Sequence, residues 1–479
     1  MNCLFQATVI SIKSRPIHAQ RTHKNADKLR KMKQFIYKPL TVLIGLCLGF
    51  TAMAQNNEAS NEQSYIVYKI KAGDNISKLA QKYLIPSANL EEIQKVNQLQ
   101  NIDLLKIGSD LNIPRQLVRS KPSVATIIGL SCATAIRVDQ STKPLHIGSV
   151  VAEGAIIEVP AECHASLLLE DGSVIRLPSS ASLKITTLRK NALESVPEVK
   201  LDLARGRIEL DVNKNRTKST PFEVRTPLSI MGVRGTEFRV GYSPDEHLGQ
   251  VEVLGGTVQT RGSSDAMSRP ITKGLGVPID SEGKALAIEK LLEAPLFESA
   301  QPTQGAQPSY VVALAPIALA SYYTAVNANT ATFNEAKSSQ QLLAPELFIP
   351  KLTKQATFYQ LSSTSESGLI GLERNYAFCT ASPDQQTGRC SAVFSVPLAE
   401  GSAINFQLTK ETGSVAQPLV NAQHLQARNG RFAIQGLPAG RYVWSLSYAM
   451  NDGTTNSSKK QLHVQSGSFE LILLPTDKP

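Results

Sequence analysis

Beyond residue 54 the chain holds four cysteines, Cys132, Cys163, Cys379 and Cys390, and five histidines, His146, His164, His247, His424 and His463. In a chain carried out of the cytoplasm, an even number of cysteines points to two disulfides. Four cysteines allow three pairings. Nearness along the chain favours Cys379 with Cys390, as a hairpin staple around the polar segment Ala381 to Arg389, and Cys132 with Cys163, tying the first strand of a domain to a later one. Zinc would need ligand spacing that is missing, for there is no CxxC pair and His164 stands alone. A cysteine nucleophile would need a free thiol beside a histidine in space, and the sequence neighbours Cys163 and His164 do not supply that by adjacency. There is no HExxH, no GxSxG elbow, no P-loop and no GxGxxG between strand and helix. Glu91 and Glu92 fall on the polar face of a helix, where solvation accounts for them. The chain is expected to be no enzyme, with no metal site and no cofactor.

The formal charge of +10 would suit a nucleic-acid partner, but its location argues otherwise. Nine of the Lys and Arg residues lie within residues 1–54 against one acid, Asp27, and the remainder is close to neutral. No nucleic-acid surface is expected from such a remainder. The leader is ordered as an export signal. Lys31, Lys33 and Lys38 are followed by apolar Leu40 to Phe50, and Ala52-Met53-Ala54 offers a small-x-small cleavage site. Pro39 to Ala54 falls short of the about 20 residues that span a hydrocarbon core, so no stable transmembrane anchor is expected. Met32 also fits a start, and Leu46 before Cys47 argues against lipidation. The expected location is periplasmic or secreted.

Tyr65 to Pro114 reads as one small unit of strand, helix, helix and strand. Tyr65-Ile66-Val67-Tyr68-Lys69-Ile70 is rich in β-branched and aromatic residues. Ala72-Gly73-Asp74-Asn75 turns the chain, and Asp74 or Asn75 can cap a helix with Ile76, Leu79, Ala80 and Tyr83 on one face. Pro86-Ser87 breaks it. A second helix carries Leu90, Ile93 and Val96 and ends at Asn97, before the short strand Leu111-Asn112-Ile113-Pro114. With Lys71-Ala72-Gly73-Asp74-Asn75-Ile76 and Ile107-Gly108 in place, the unit resembles a LysM domain. That resemblance implies binding of N-acetylglucosamine-containing glycan, peptidoglycan or chitin, in a shallow groove between two loops. Carried onto this chain, the groove is Gly73, Asp74, Asn75 and Ile76 on one side and Lys106, Ile107 and Gly108 on the other. Ile76 and Ile107 would hold the acetamido methyl and the sugar face. Asn75 stands where the family usually has Thr, which keeps a cap but changes the contact to sugar.

Residues 115–123 form a basic linker. Residues 124–261 alternate with period two: Val199, Leu201 and Leu203 lead into a turn at Ala204-Arg205-Gly206-Arg207, with Ile208, Leu210 and Val212 returning, and Val251, Val253 and Val258 flank Gly255-Gly256. This pattern predicts an all-β run of hairpins. Glu170-Asp171-Gly172-Ser173 with Ile175-Arg176-Leu177, and Phe222 to Pro227 followed by Met231 to Val240, resemble a FecR-type domain. The sigma-regulatory role of many such proteins requires a cytoplasmic domain and a spanning helix, and is not carried over. Arg234 reads as a structural residue of a glycine-flanked turn.

Residues 262–341 read as an irregular region or a small β module. Leu291 to Phe297 resembles Leu342 to Phe348, as duplicated β modules or chance would allow. Residues 342–479 alternate again through Tyr442, Trp444, Leu446 and Tyr448 and resemble, generically, an immunoglobulin or fibronectin type III sandwich, with Trp444 in the core. The fold class expected is multidomain and mainly β: a βααβ LysM module, an all-β FecR-type domain and a C-terminal immunoglobulin-like sandwich. The expected function is to hold peptidoglycan and present the β-rich domains to another envelope protein. The alternative is signal reception, the FecR-type domain acting on an outer-membrane receptor or transporter.

Overall fold

The computed structural model describes residues 65–102, 104–138, 145–216, 220–303, 309–381, 390–396, 403–412, 415–426, 430–451 and 460–475. The leader and its cleavage site lie outside the described residues. Among those described, no helix is long and apolar enough to cross a membrane.

The first unit is βααβ. Strand β1, Tyr65–Lys69, pairs antiparallel with β2, Asp110–Pro114, so that Ile66 lies opposite Ile113 and Tyr68 opposite Leu111. Helices α1, Ile76–Tyr83, and α2, Leu90–Val96, are capped by the side chains of Asn75 and Asn89, which accept from the amides of Lys78 and Glu91. Asn caps satisfy first-turn amides that would otherwise be orphaned. Ile66, Ile76, Leu79, Ile93, Leu111 and Ile113 form its core. The segment after it is no free linker. Leu117 and Val118 complete that core, and Ser120–Pro122 pairs with the strand Ala181–Asn191 of the next domain. There the Arg115 guanidinium forks onto Glu194, at 2.6 and 3.1 Å, with both side chains almost buried. A bidentate arginine–carboxylate pair of this kind fixes orientation as well as distance.

The β region that follows is one hydrogen-bonded system of seventeen strands wrapped around a single apolar core. Two expected turns are something else. Ala204 to Arg207 lies inside one strand, Glu198–Asp211, whose first half pairs with Ala181–Asn191 and whose second half pairs with Glu237–Ser243. Gly206 makes the bend at φ +80°, and a Cβ there would come within 2.4 Å of the Ser180 carbonyl oxygen. Such a strand passes from one layer to the next rather than returning on itself. Gly255-Gly256 acts likewise: the strand before it pairs with Glu237–Ser243 and the strand after it with Ser229–Val233. Arg269–Thr272 and Leu275–Ile279 extend the same system past residue 261.

Residues 297–475 form two β-sandwich halves that share an eight-stranded sheet. Arg374–Ala381 and Lys460–Pro475 join the halves as a parallel pair. Phe297–Pro302, Tyr310–Leu314 and Glu346–Ile349 cover one half, around Tyr310, Leu347 and Phe378. Cys390–Ser395 and Arg431–Leu437 cover the other, where Phe394 packs on Phe406, Phe432 and Trp444. The resemblance between 291–297 and 342–348 does not correspond to equivalent strands: only Phe297 of the first segment is in a strand, whereas Leu342 ends one strand and Glu346 begins another. Both cysteine pairs are disulfides. Cys379–Cys390 is not a hairpin staple, because its two strands lie in different sheets, which it ties together.

A buried pair marks the second domain: Asp171 and Arg216 are both about 1% exposed and bond to each other. Arg216 also donates to the carbonyls of Pro197 and Pro221, at 2.6 and 3.1 Å, and lies over the Phe222 ring. Arg216→Ala would leave Asp171 an uncompensated buried charge, a loss of about 3–5 kcal/mol. In urea titrations the unfolding free energy of this domain is expected to fall by that amount, with a lower midpoint, and a change indistinguishable from zero would contradict the role given to the pair.

Candidate functional site

The two loops at the open end of the β1–β2 ladder are built by their polar residues. Asp74 turns back on Lys71: its carboxylate accepts from the Lys71 amide at 2.8 Å and from the Tyr68 hydroxyl at 2.9 Å. These bonds, the amide first, hold the Asp74 carboxyl below its ordinary value. Burial and then the bond to Asp74 push the Tyr68 hydroxyl up to about 12. Gly73 takes φ +83° with open space around it, and its carbonyl accepts from Lys78 Nζ at 3.0 Å. Across from it, Gly108 takes φ +80° and its amide donates to the Ile70 carbonyl at 2.8 Å, while the Ile70 amide donates to Ser109 at 3.0 Å. Those two bonds lock one loop to the other. The Ser109 hydroxyl and amide both donate to the Lys106 carbonyl.

Of the residues expected at the groove, Gly73, Asp74 and Asn75 share the first loop, and Lys106, Ile107 and Gly108 share the second, joined through Ile70. Ile76 is not at the surface. It is 1% exposed and belongs to the core, so it cannot touch a sugar face. In the second loop Leu104, 74% exposed, joins Ile107, 64% exposed, as an apolar side chain in water. Large exposed apolar side chains close together mark contact surfaces. Leu104 was missed because Leu104-Leu105 reads equally as core; spacing of three from Ile107 was the available signal. The carboxylate of Asp74 and the amide of Asn75 are spent on turn and cap, leaving backbone groups and apolar side chains for a ligand.

Two family models match the chain. Residues 68–114 match "LysM domain" and residues 155–259 match "FecR protein". The chain carries a LysM domain followed by a FecR domain. No curated protein matches it. Among solved structures, a candidate anti-sigma factor from Parabacteroides distasonis is 20% identical with a TM-score of 0.24. That match covers 28% of this chain, and this chain spans 59% of that one. Dimeric latent PorU from Porphyromonas gingivalis is 9% identical over 80% of this chain and 37% of its own, with a TM-score of 0.12.

A LysM domain implies binding of peptidoglycan or related glycan. LysM and FecR are envelope domains, and with two disulfides they point to an extracytoplasmic chain. Within the FecR domain, Asp171 of the Glu170-Asp171-Gly172-Ser173 turn is the partner of Arg216. Arg234 donates to the Arg216 carbonyl at 3.2 Å, which suits a structural role. Among the described residues no group of three or more His, Cys, Asp or Glu is arranged to hold a metal ion.

Asn97 joins the second helix to the closing strand of the unit. Its side chain donates to the carbonyls of Ile93, at 2.8 Å, and Asn112, at 2.7 Å, and accepts from the Asn112 amide at 2.7 Å, fastening α2 to β2. Asn97→Ala would orphan the amide and carbonyl of Asn112 at a cost of about 1–3 kcal/mol, while the Ile93 carbonyl keeps the Asn97 amide. Hydrogen exchange is expected to speed up at the amides of 65–70 and 108–114 and to stay unchanged beyond residue 124. Uniform protection in the variant would contradict this.

Proposed function

We propose that this chain is a periplasmic or secreted adaptor without chemistry of its own. Its LysM domain holds N-acetylglucosamine-containing glycan of the wall, and its β-rich remainder is presented to another envelope protein. The observation that carries the reading is the pair of exposed apolar side chains, Leu104 and Ile107, set beside two glycine turns whose backbones are tied together at Ile70. An acetamido group needs this combination: an apolar contact for its methyl, and close backbone amides and carbonyls that glycine leaves accessible. The surface is small and open, so a single contact is weak, and a polymer offering many sites compensates by effective concentration.

Co-sedimentation of the full chain with purified peptidoglycan sacculi tests this. The unmodified chain is expected in the pellet. Leu104→Asp with Ile107→Asp, both changes on exposed side chains that leave the core intact, is expected to weaken retention about tenfold or more, since each removes apolar contact and adds a charge to desolvate. Undiminished pelleting of that double variant would move the glycan site elsewhere in the chain.

A further inference from the structure

Between the FecR domain and the second sandwich half lies a cavity of about 330 Å³ that the glycan reading does not use. That volume is at the lower end of small-molecule sites, which favour domain boundaries. Two of its lining side chains are nine-tenths buried and lack partners. His164 is 7% exposed and neither ring nitrogen has a hydrogen bond; Trp444 is 5% exposed and its Nε1 has none. The Trp444 edge lies over Gly467, which also lines the cavity, so close that a Cβ there would come within 3.1 Å of Nε1. A buried polar group left unpaired is costly, and a ligand that supplies its partner removes that cost. Burial holds the His164 ring below its ordinary value, so it is neutral and offers one donor and one acceptor.

The other walls are charged. Arg176 and Glu209 are opposite each other on paired strands, and Asp211, Glu237 and Glu373 complete the lining. Arg239 stands behind, 3.5 Å from Glu373. Four carboxyl groups thus meet two guanidinium groups around a partly enclosed space, so a proton or a bound cation must make up the difference.

We propose that this cavity binds a small primary amine that also carries oxygen acceptors, a molecule of amino-acid or amino-sugar size. Its ammonium sits among Glu209, Glu237 and Glu373, and its oxygens accept from Trp444 Nε1 and from the His164 ring. An anion would meet the surplus carboxylates directly, and a neutral polyol would leave them uncompensated. Burial pushes the Glu373 carboxyl above its ordinary value against the pull of Arg239, with Glu209 and Glu237 adding to the rise. A bound ammonium takes over the compensation that this proton supplies. Amine binding therefore strengthens as the pH rises through the raised range of this carboxyl, and releases a proton.

Calorimetric titration of the full chain with glucosamine and with lysine, glucose serving as the neutral counterpart, tests the proposal. At least one amine is expected to bind saturably, more tightly at pH 8 than at pH 6, with no heat from glucose. Glu373→Gln keeps the side chain's shape and is expected to weaken binding about tenfold, the worth of one charge-assisted contact. Trp444→Phe, which keeps the ring but removes the N–H, is expected to weaken it as well. Absence of amine binding, equal binding of glucose, or affinity unchanged by Glu373→Gln would each overturn it.

Discussion

Charges withdrawn from water hold the modules of this chain together. Four residues stand in register across neighbouring strands of the FecR domain, Arg176, Glu209, Arg239 and Glu252, alternating in sign. Arg239 is 1% exposed and Glu252 is fully buried. Arg239 donates to the carbonyls of Ile370 and Gly371, at 3.0 and 2.6 Å, and Glu252 accepts from the Ile370 amide at 3.0 Å and pairs with Arg207 at 2.6 Å. The loop that they grip joins two strands of the C-terminal sheet. Such groups add little net stability when intact, since desolvation cancels most of the attraction, but separating them strands buried charge at several kcal/mol. Orientation is therefore what they secure. Apolar packing of Ile128, Leu168 and Val174 into the second sandwich core supplies the burial beside them.

At the other end the same principle is repeated. Arg115 and Glu194 fix the LysM domain against the FecR domain, and Leu193 packs on the LysM core. The Gly73 and Gly108 loops are thus connected through buried contacts to the C-terminal sandwich. Two disulfides reinforce the β modules, one beside the strand Ala165–Leu169 and one between facing sheets. Modules held at a fixed angle in this way lose less orientational freedom when something docks on them.

Much of this was legible where the signal is local. The Asn75 cap, the helix faces, the pairing of the cysteines and the inward Trp444 all follow from neighbours along the chain. What escaped depends on non-local pairing. A glycine between two alternating runs signals a hairpin, yet at Gly206 and at Gly255-Gly256 it marks a strand changing layers, and only the partner strands distinguish the two cases. Ile76 was placed at the groove by its position in a motif, but its helical spacing with Leu79 turns it inward. Arg239 and Glu252 look like solvated residues of alternating strands; their burial is imposed by a loop more than a hundred residues later. Division of the last region into two halves sharing a sheet was illegible for the same reason.

If glycan meets this protein at the two LysM loops, those loops become protected when it binds. Hydrogen–deuterium exchange of the full chain, measured by mass spectrometry with and without an N-acetylglucosamine oligomer, tests it most directly. Protection confined to peptides covering residues 70–78 and 104–110 is the expected result. Protection that appears only beyond residue 124, with those loops exchanging as before, would contradict the account.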